Sequence, residues 1–396
     1  MWSGFHSACL EFMKKKILAM LLCITVFAGC GNNKTIEQST QAINCDDLES
    51  EDEKDAKAWM ATDKSACNIG DGAYFAERTQ TGNFLFYYDY KSQKYTKVCN
   101  KPECAHSDES CNAFLPDDLG KQCYSTFYVQ EYNKNIYMGG LDGKKACIYM
   151  VTGDGSKREK VQELFDAELN ESVDGKDSLL EYQSFNFVIH RDYVYYIYDD
   201  GEISSLCRKR LGSNSAKEET IVNLDEKNYV YRLEPYGRYV FFQKGKYNED
   251  HSDIKSVLCA FDVEKNSVVK IKEDVINVYM IRDKKLYYEV VGEGIHQYSL
   301  ENEEDKLVVA TKDTCYQIYK GNDFYVTQST NGLAVFDENG TEISRKNYQE
   351  CSNLVYVDDN ILITSSINNE GQMEYSIVDN FSEGPDKWKA KTIIFE

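Results

Sequence analysis

The sequence predicts an all-β fold, a β-propeller of four-stranded antiparallel blades, with seven blades the favoured count and six or eight the alternatives. Three observations predict it. A short strand-like run recurs seven times, at Tyr74-Phe75, Ile136-Tyr137, Val194-Tyr195-Tyr196, Val240-Phe241-Phe242, Leu286-Tyr287-Tyr288, Phe324-Tyr325-Val326 and Ile361-Leu362-Ile363. The 396 residues include 30 Tyr and 18 Phe but only 4 Pro, a composition suited to many short, half-buried strands in which aromatic side chains pack across the pleat. The steps from Tyr195 to Phe241, Tyr287, Tyr325 and Leu362 are 46, 46, 38 and 37 residues, the length of one propeller blade.

The chain opens on a targeting segment. Lys14-Lys15-Lys16 precede an apolar run from Ile17 to Phe27, followed by Ala28, Gly29 and Cys30. A basic region, an apolar core too short to span a bilayer and small residues at a cleavage point make residues 1–29 a signal peptide, with Met13 as the expected start. Phe27-Ala28-Gly29-Cys30 resembles a bacterial lipobox, which would make Cys30 the lipidated N-terminus of the mature protein; two acyl chains suffice for stable anchoring. The alternative is an ordinary cleaved signal with Cys30 incidental. Localisation follows as the cell membrane, lipid-anchored, on the extracytoplasmic face.

Residues 30–66 read as a flexible tether. The run Asp46-Asp47-Leu48-Glu49-Ser50-Glu51-Asp52-Glu53 is too acidic and too poor in apolar residues to offset its ordering entropy, so it is expected to stay extended and solvated. It lacks the alternating ligands, central Gly and terminal Glu of an EF-hand. The net charge is -21. Removing residues 1–29, with three Lys and one Glu, takes it to -21 - 2 = -23. Such a surface repels phosphate backbones, and no basic patch offsets it, so no nucleic-acid partner is expected.

Residues 67–396 form the propeller domain. Each unit has an inner strand, the aromatic strand, a third strand often ending in Asp or a Gly turn, and a charged outer strand. Leu258 to Val269 and Leu333 to Ile343 show the last two strands around a polar turn, with Asn339-Gly340 supplying the positive φ of a tight hairpin. The first two steps are longer, 63 residues from Tyr74 to Tyr137 and 58 from Tyr137 to Tyr195. A Cys-rich insertion, residues 99–123, accounts for the first, and a polar stretch around Asp166 to Leu179 for the second. Strand Lys389 to Phe395 is expected to complete the last blade.

One constellation stands above background. Cys99, Cys104, His106 and Cys111 place three thiols and one imidazole within thirteen residues, a donor set for a tetrahedral Cys3His structural zinc. The single residue between Cys104 and His106 makes joint ligation harder. A disulfide among these cysteines or with Cys123 is the second reading, and free thiols the third. Eleven cysteines follow Cys30, an odd number, so full pairing within one chain is excluded. Cys147, Cys207 and Cys259 sit in apolar strand-like runs, where a thiol acts as a small core residue.

The lipobox-like start, the acidic spacer, the Cys99-x4-Cys104-x-His106-x4-Cys111-x-Ala113 segment and the Tyr-rich repeats together resemble the uncharacterised propeller-type, TolB-like lipoproteins of anaerobic Gram-positive bacteria. The resemblance implies a membrane-anchored extracytoplasmic propeller and supplies no catalytic residues. No Gly-x-Ser-x-Gly elbow, phosphate-binding loop or His-Glu-x-x-His motif occurs, and His190, His251 and His296 read as ordinary strand or loop residues. The expected function is a non-catalytic module binding a protein, glycan or cell-envelope component, with an extracytoplasmic hydrolase or lyase in the propeller funnel as the alternative.

Overall fold

The computed structural model describes residues 38–39, 42–49, 52, 54–56, 66–79, 81–115, 128–142, 145–166, 169–171, 177–179, 186–199, 203–213, 215–225, 228–247, 254–275, 279–347, 353–370, 372–379, 381 and 388–395. The signal peptide, Cys30, Cys123 and His251 lie outside them. Among the described residues, no helix is long and apolar enough to cross a membrane. Residues 36–396 form one compact unit.

That unit is a seven-bladed propeller, as expected. Blade 1 contains Ala66–Asn68, Gly72–Thr79, Gly82–Asp89 and Lys94–Lys97; blade 2 contains Val129–Tyr132, Asn135–Asp142, Lys145–Thr152 and Arg158–Asp166. Blade 3 follows with Phe187–His190, Tyr193–Asp199, Ser204–Arg210 and Glu219–Leu224, and blade 4 with Asn228–Tyr236, Tyr239–Tyr247, Ile254–Asp262 and Ser267–Glu273. Blades 5, 6 and 7 begin at Tyr279–Arg282, Cys315–Lys320 and Asn353–Val357, and blade 7 ends on Lys389–Ile393. All pairings within these blades are antiparallel and sequential. First strands lie side by side between blades 1 and 2, 2 and 3, 3 and 4, 5 and 6, and 7 and 1, so they are innermost, and shared core clusters join blades 4 and 5 and blades 6 and 7 to close the ring.

Every recurring run quoted above falls on the second strand of its blade. That strand is flanked within its own sheet and covered on both faces by neighbouring blades, so it reads as a nearly continuous apolar run. Tyr195, Tyr196, Phe241, Phe242 and Val326 are fully buried there. Clusters fill the gaps between blades: Tyr132, Leu164, Phe187 and Tyr196 between blades 2 and 3, and Val188, Leu206, Phe242 and Phe261 between blades 3 and 4. Burying each such side chain contributes roughly 1.5–3 kcal/mol.

A polar latch also recurs. Gln243, Glu289 and Gln328 occupy the fifth position of the second strand in blades 4, 5 and 6, and all are buried. Each reaches the chain entering the next blade: Gln243 Nε2 donates to Val275 O at 2.6 Å, while Glu289 Oε1 accepts from Cys315 N at 2.8 Å and Gln328 Oε1 from Leu354 N at 2.7 Å. Buried side-chain oxygens and amides thus satisfy backbone groups that a blade start would otherwise orphan.

Turns between third and fourth strands explain the recurring Asp. Asp262 Oδ1 accepts from the N–H groups of Glu264 and Lys265, and Asp337 Oδ1 from those of Asn339 and Thr341. A left-handed residue closes each loop, Asn266 at φ 53° and Gly340 at φ 79°. The Asn339-Gly340 turn is therefore an Asp-capped loop with one left-handed residue. The two-residue hairpins lie instead between first and second strands, where both residues of Asn133-Lys134, Arg191-Asp192 and Asp283-Lys284 are left-handed, as a type I′ turn requires.

Ring closure rests on side chains. Phe395 sits 4.8 Å from Phe86, 5.1 Å from Phe75 and Tyr95, and 5.4 Å from Tyr375, ring centre to ring centre. Asn68 Nδ2 donates to Asp358 Oδ2 at 2.9 Å, joining blade 1 to blade 7.

Part of the acidic stretch expected to be an extended spacer is bound to the propeller. Gln38–Ser39 adds a parallel strand to the outer edge of blade 4, opposite Val268 and Val269. Cys45–Leu48 is a 3-10 turn whose Leu48 is buried against Tyr239, Phe241 and Tyr279. Asp47 pairs with Arg238, Arg238 N donates to Asp47 O at 3.1 Å, and Asn44 N donates to Tyr239 Oη at 3.2 Å. Further on, Asp55 Oδ1 accepts from Arg191 Nε at 2.6 Å, and Ala56 N donates to His190 Nδ1 at 3.0 Å. Gly237 is required here: a Cβ on it would lie 2.4 Å from Leu48 O. The physical reason for the difference is charge complementarity with basic residues of the propeller, invisible in local composition. Residues 42–49, 52 and 54–56 act as a strap across the first-to-second turns of blades 3, 4 and 5. Antiparallel order places those turns, with the third-to-fourth turns, on one face of the ring.

Candidate metal centre

The Cys-rich segment is inserted into a strand. Lys94–Lys97 pairs with Phe86 to Asp89, the chain leaves at Val98, and Phe114–Leu115 returns to pair with Asn83 and Phe84 of the same third strand. Residues 98–113 thus interrupt the fourth strand of blade 1. The excursion has two small turns, each delivering a cysteine: Cys104 N donates to Lys101 O at 3.3 Å and Cys111 N to Asp108 O at 3.0 Å. Lys97 Nζ holds the carbonyl of His106 at 3.1 Å, and Lys101 Nζ that of Ser110 at 2.6 Å.

This folding brings all four candidate residues together. One ligand atom from each of Cys99, Cys104, His106 and Cys111 lies within 4.8 Å of the other three. His106 Nδ1 is 3.4 Å from Cys111 Sγ. Cys111 is buried and the other three are half-buried. None of the described cysteines is in a disulfide. The one-residue spacing between Cys104 and His106 is accommodated by the backbone: Glu103 and His106 are left-handed, at φ 61° and 52°, so the chain reverses on each side of Cys104.

The electrostatics separate the thiols. Burial alone would raise the Cys99 pKa, but hydrogen bonds from the backbone N–H groups of Lys101 and Asn112, and from Cys111 and Cys104, bring it below the ordinary thiol value. Burial pushes Cys111 up to about 12, against a hydrogen bond from the Ala113 N–H and in concert with the neighbouring Cys99. Elsewhere Cys147, Cys207 and Cys315 are raised by burial, the behaviour of core thiols.

The loop is also seated on blade 2. Asn100 N and Asn112 Nδ2 donate to the same carbonyl, Gly155 O, at 3.1 and 2.9 Å, and Arg158 Nη2 donates to Glu109 O at 2.8 Å. Gly155 is left-handed at φ 70°, and a Cβ there would meet Cys99 N at 2.9 Å. The other two described imidazoles serve the scaffold. His190 is fully buried and holds the strap through Ala56. His296 Nδ1 lies 3.2 Å from Asp305 Oδ1 on the face of blade 5. Sequence reasoning missed the strap contacts Arg191, Arg238 and Asp47, since only their long-range pairing marks them.

With this geometry established, comparison with known proteins gives the fold. No family model matches the sequence, and no curated protein matches it. Similar solved structures include a pair of prolyl endopeptidases studied for inter-domain dynamics in catalysis and specificity, at 11% identity and TM-score 0.55, covering 88% of this chain and 50% of that one. Puromycin hydrolase is similar at 10% identity and TM-score 0.52, covering 92% and 57%. BamB from Moraxella catarrhalis is similar at 12% identity and TM-score 0.44, covering 86% and 87%. At these identities the likeness is one of fold. The chain spans 50% of the prolyl endopeptidase chain and 57% of the hydrolase chain. With no family match, the resemblance to propeller lipoproteins rests on its motifs.

Proposed function

We propose that this chain is an extracytoplasmic lipoprotein, anchored through Cys30, whose propeller is a non-catalytic module binding a protein, glycan or cell-envelope component. The observation that carries the reading is the strap. The segment that follows Cys30 in sequence is fastened across the first-to-second turns of blades 3, 4 and 5 by Asp47 to Arg238 and Asp55 to Arg191. The strap occupies the face that carries the first-to-second turns, so the opposite face, built from second-to-third turns and the connections between blades, is the one we assign to a partner. Supporting the non-catalytic part, His190 and His296 are engaged in scaffold contacts, and four protein ligands at the Cys-His cluster leave no open position for a metal-bound water.

The test begins with cells grown on a radiolabelled fatty acid. The wild-type chain is expected in the membrane fraction carrying label, and Cys30→Ser in neither state. Unlabelled wild-type chain would overturn the anchor. Full chain purified in detergent is then incubated with isolated envelope glycan and envelope protein. Saturable retention of intact ligand is the expected result; release of cleaved fragments would replace binding by the hydrolase or lyase reading.

A further inference from the structure

We infer that Cys99, Cys104, His106 and Cys111 hold one Zn2+ ion, and that this ion completes the outer edge of blade 1 and seals it to blade 2. The donor set comes first. Three thiolates and an imidazole select zinc over the oxygen-seeking magnesium and calcium. A tetrahedral zinc with bonds of about 2.3 Å to sulfur and 2.0–2.1 Å to nitrogen sets its ligand atoms roughly 3.4–3.8 Å apart. The four atoms already lie within 4.8 Å of one another, and His106 Nδ1 to Cys111 Sγ is 3.4 Å.

The backbone is a second, independent observation. Non-glycine residues with positive φ carry strain that persists only where the surroundings enforce it, and such positions collect at functional sites. Glu103 and His106 flank Cys104 in that conformation, and it is what allows Cys104 and His106, separated only by Ala105, to face one centre. A third observation is the outer support of the two turns: Lys97 Nζ holds the carbonyl of His106 at 3.1 Å and Lys101 Nζ that of Ser110 at 2.6 Å, contacts that fix the residues carrying the ligands. A disulfide uses two of three thiols and leaves the third beside an idle imidazole, so it accounts for less of this arrangement.

The ion's role follows from the interrupted strand. The two halves of the fourth strand pair with opposite ends of the third, and Cys99 and Cys111 stand just inside the two breaks. Joining them through a metal keeps both halves in register. The same turn then presents Asn100 and Asn112 to Gly155 O on blade 2. On binding, Zn2+ displaces the thiol protons to solvent, with no change of oxidation state.

The test uses full chain purified in detergent, anaerobically and without chelators. Elemental analysis is expected to find one zinc per chain, and cobalt reconstitution to give tetrahedral d–d bands with sulfur-to-metal charge transfer. Cys104→Ala and His106→Ala should lose the metal, whereas His106→Cys should retain it. Hydrogen exchange after chelation should rise in residues 98–115 and 153–158 and stay unchanged in blades 3 to 6. Should the alanine variants fail to fold, the wild-type metal content and the chelation experiment still decide. Folded wild-type chain without metal, a disulfide linking two of the three cysteines, or chelation that leaves 98–115 protected would each overturn the inference. Cys30→Ser should bind zinc equally, so this result is independent of the anchor.

Discussion

His190 shows how one residue joins the strap to the ring. Its Nδ1 accepts the Ala56 N–H at 3.0 Å, which leaves the ring proton on Nε2, 3.8 Å from Asp55 Oδ1. Burial lowers its pKa to about 4, against the pull of Asp55 and assisted by Arg191. The sign follows from linkage: below about pH 6.5 the unfolded chain takes up this proton while the native chain does not, so stability is lost as pH falls toward 4. Wild-type protein should therefore lose on the order of 3 kcal/mol from this group between pH 7 and pH 4. His190→Leu should be less stable at pH 7 and flatter over that window; denaturant titrations at both pH values measure the difference, and equal slopes would contradict the assignment. Gly155 is the second diagnostic residue. Gly155→Ala places a Cβ 2.9 Å from Cys99 N in a left-handed position, and should destabilise by roughly 1 kcal/mol or more in thermal or urea unfolding.

At the scale of elements, the final strand and Phe395 carry closure. Phe395 is buried among four aromatic rings drawn from blades 1 and 7. Phe395→Ala should cost about 3–5 kcal/mol, and deletion of residues 389–395 should lower the melting temperature of the whole ring; an unchanged melting curve would show that closure lies elsewhere. The second strands were legible in the sequence because Tyr195, Phe241 and Tyr287 are buried on both faces and so repeat as aromatic runs. The Cys99 to Cys111 cluster was legible from residue type and spacing. Its position was not, because nothing local reveals that Phe114–Leu115 resumes the strand that Lys94–Lys97 began. The strap was hidden for a related reason. Asp46 to Glu53 has the composition of a solvated spacer, and the residues that bind it and the neighbouring Asp55, namely Arg238 and Lys284 for the first and Arg191 for the second, lie far along the chain.

At the scale of the whole molecule, two insertions to the repeat divide the ring's work. The Cys-His loop finishes blade 1 on the outside, and the strap covers one face of blades 3, 4 and 5. The strap's ion pairs to Arg191 and Arg238 make residues 42–49 and 54–56 part of that face and not a loose tether. Hydrogen exchange on the detergent-purified full chain tests this most directly, comparing wild type with Gly237→Ala, whose new Cβ would lie 2.4 Å from Leu48 O and 2.6 Å from Asp47 O. The prediction is that wild-type residues 42–56 exchange as slowly as the turns of blades 3 to 5, and that Gly237→Ala frees them while the blades stay protected. Exchange of wild-type residues 42–56 at the rate of an unstructured peptide would contradict the account.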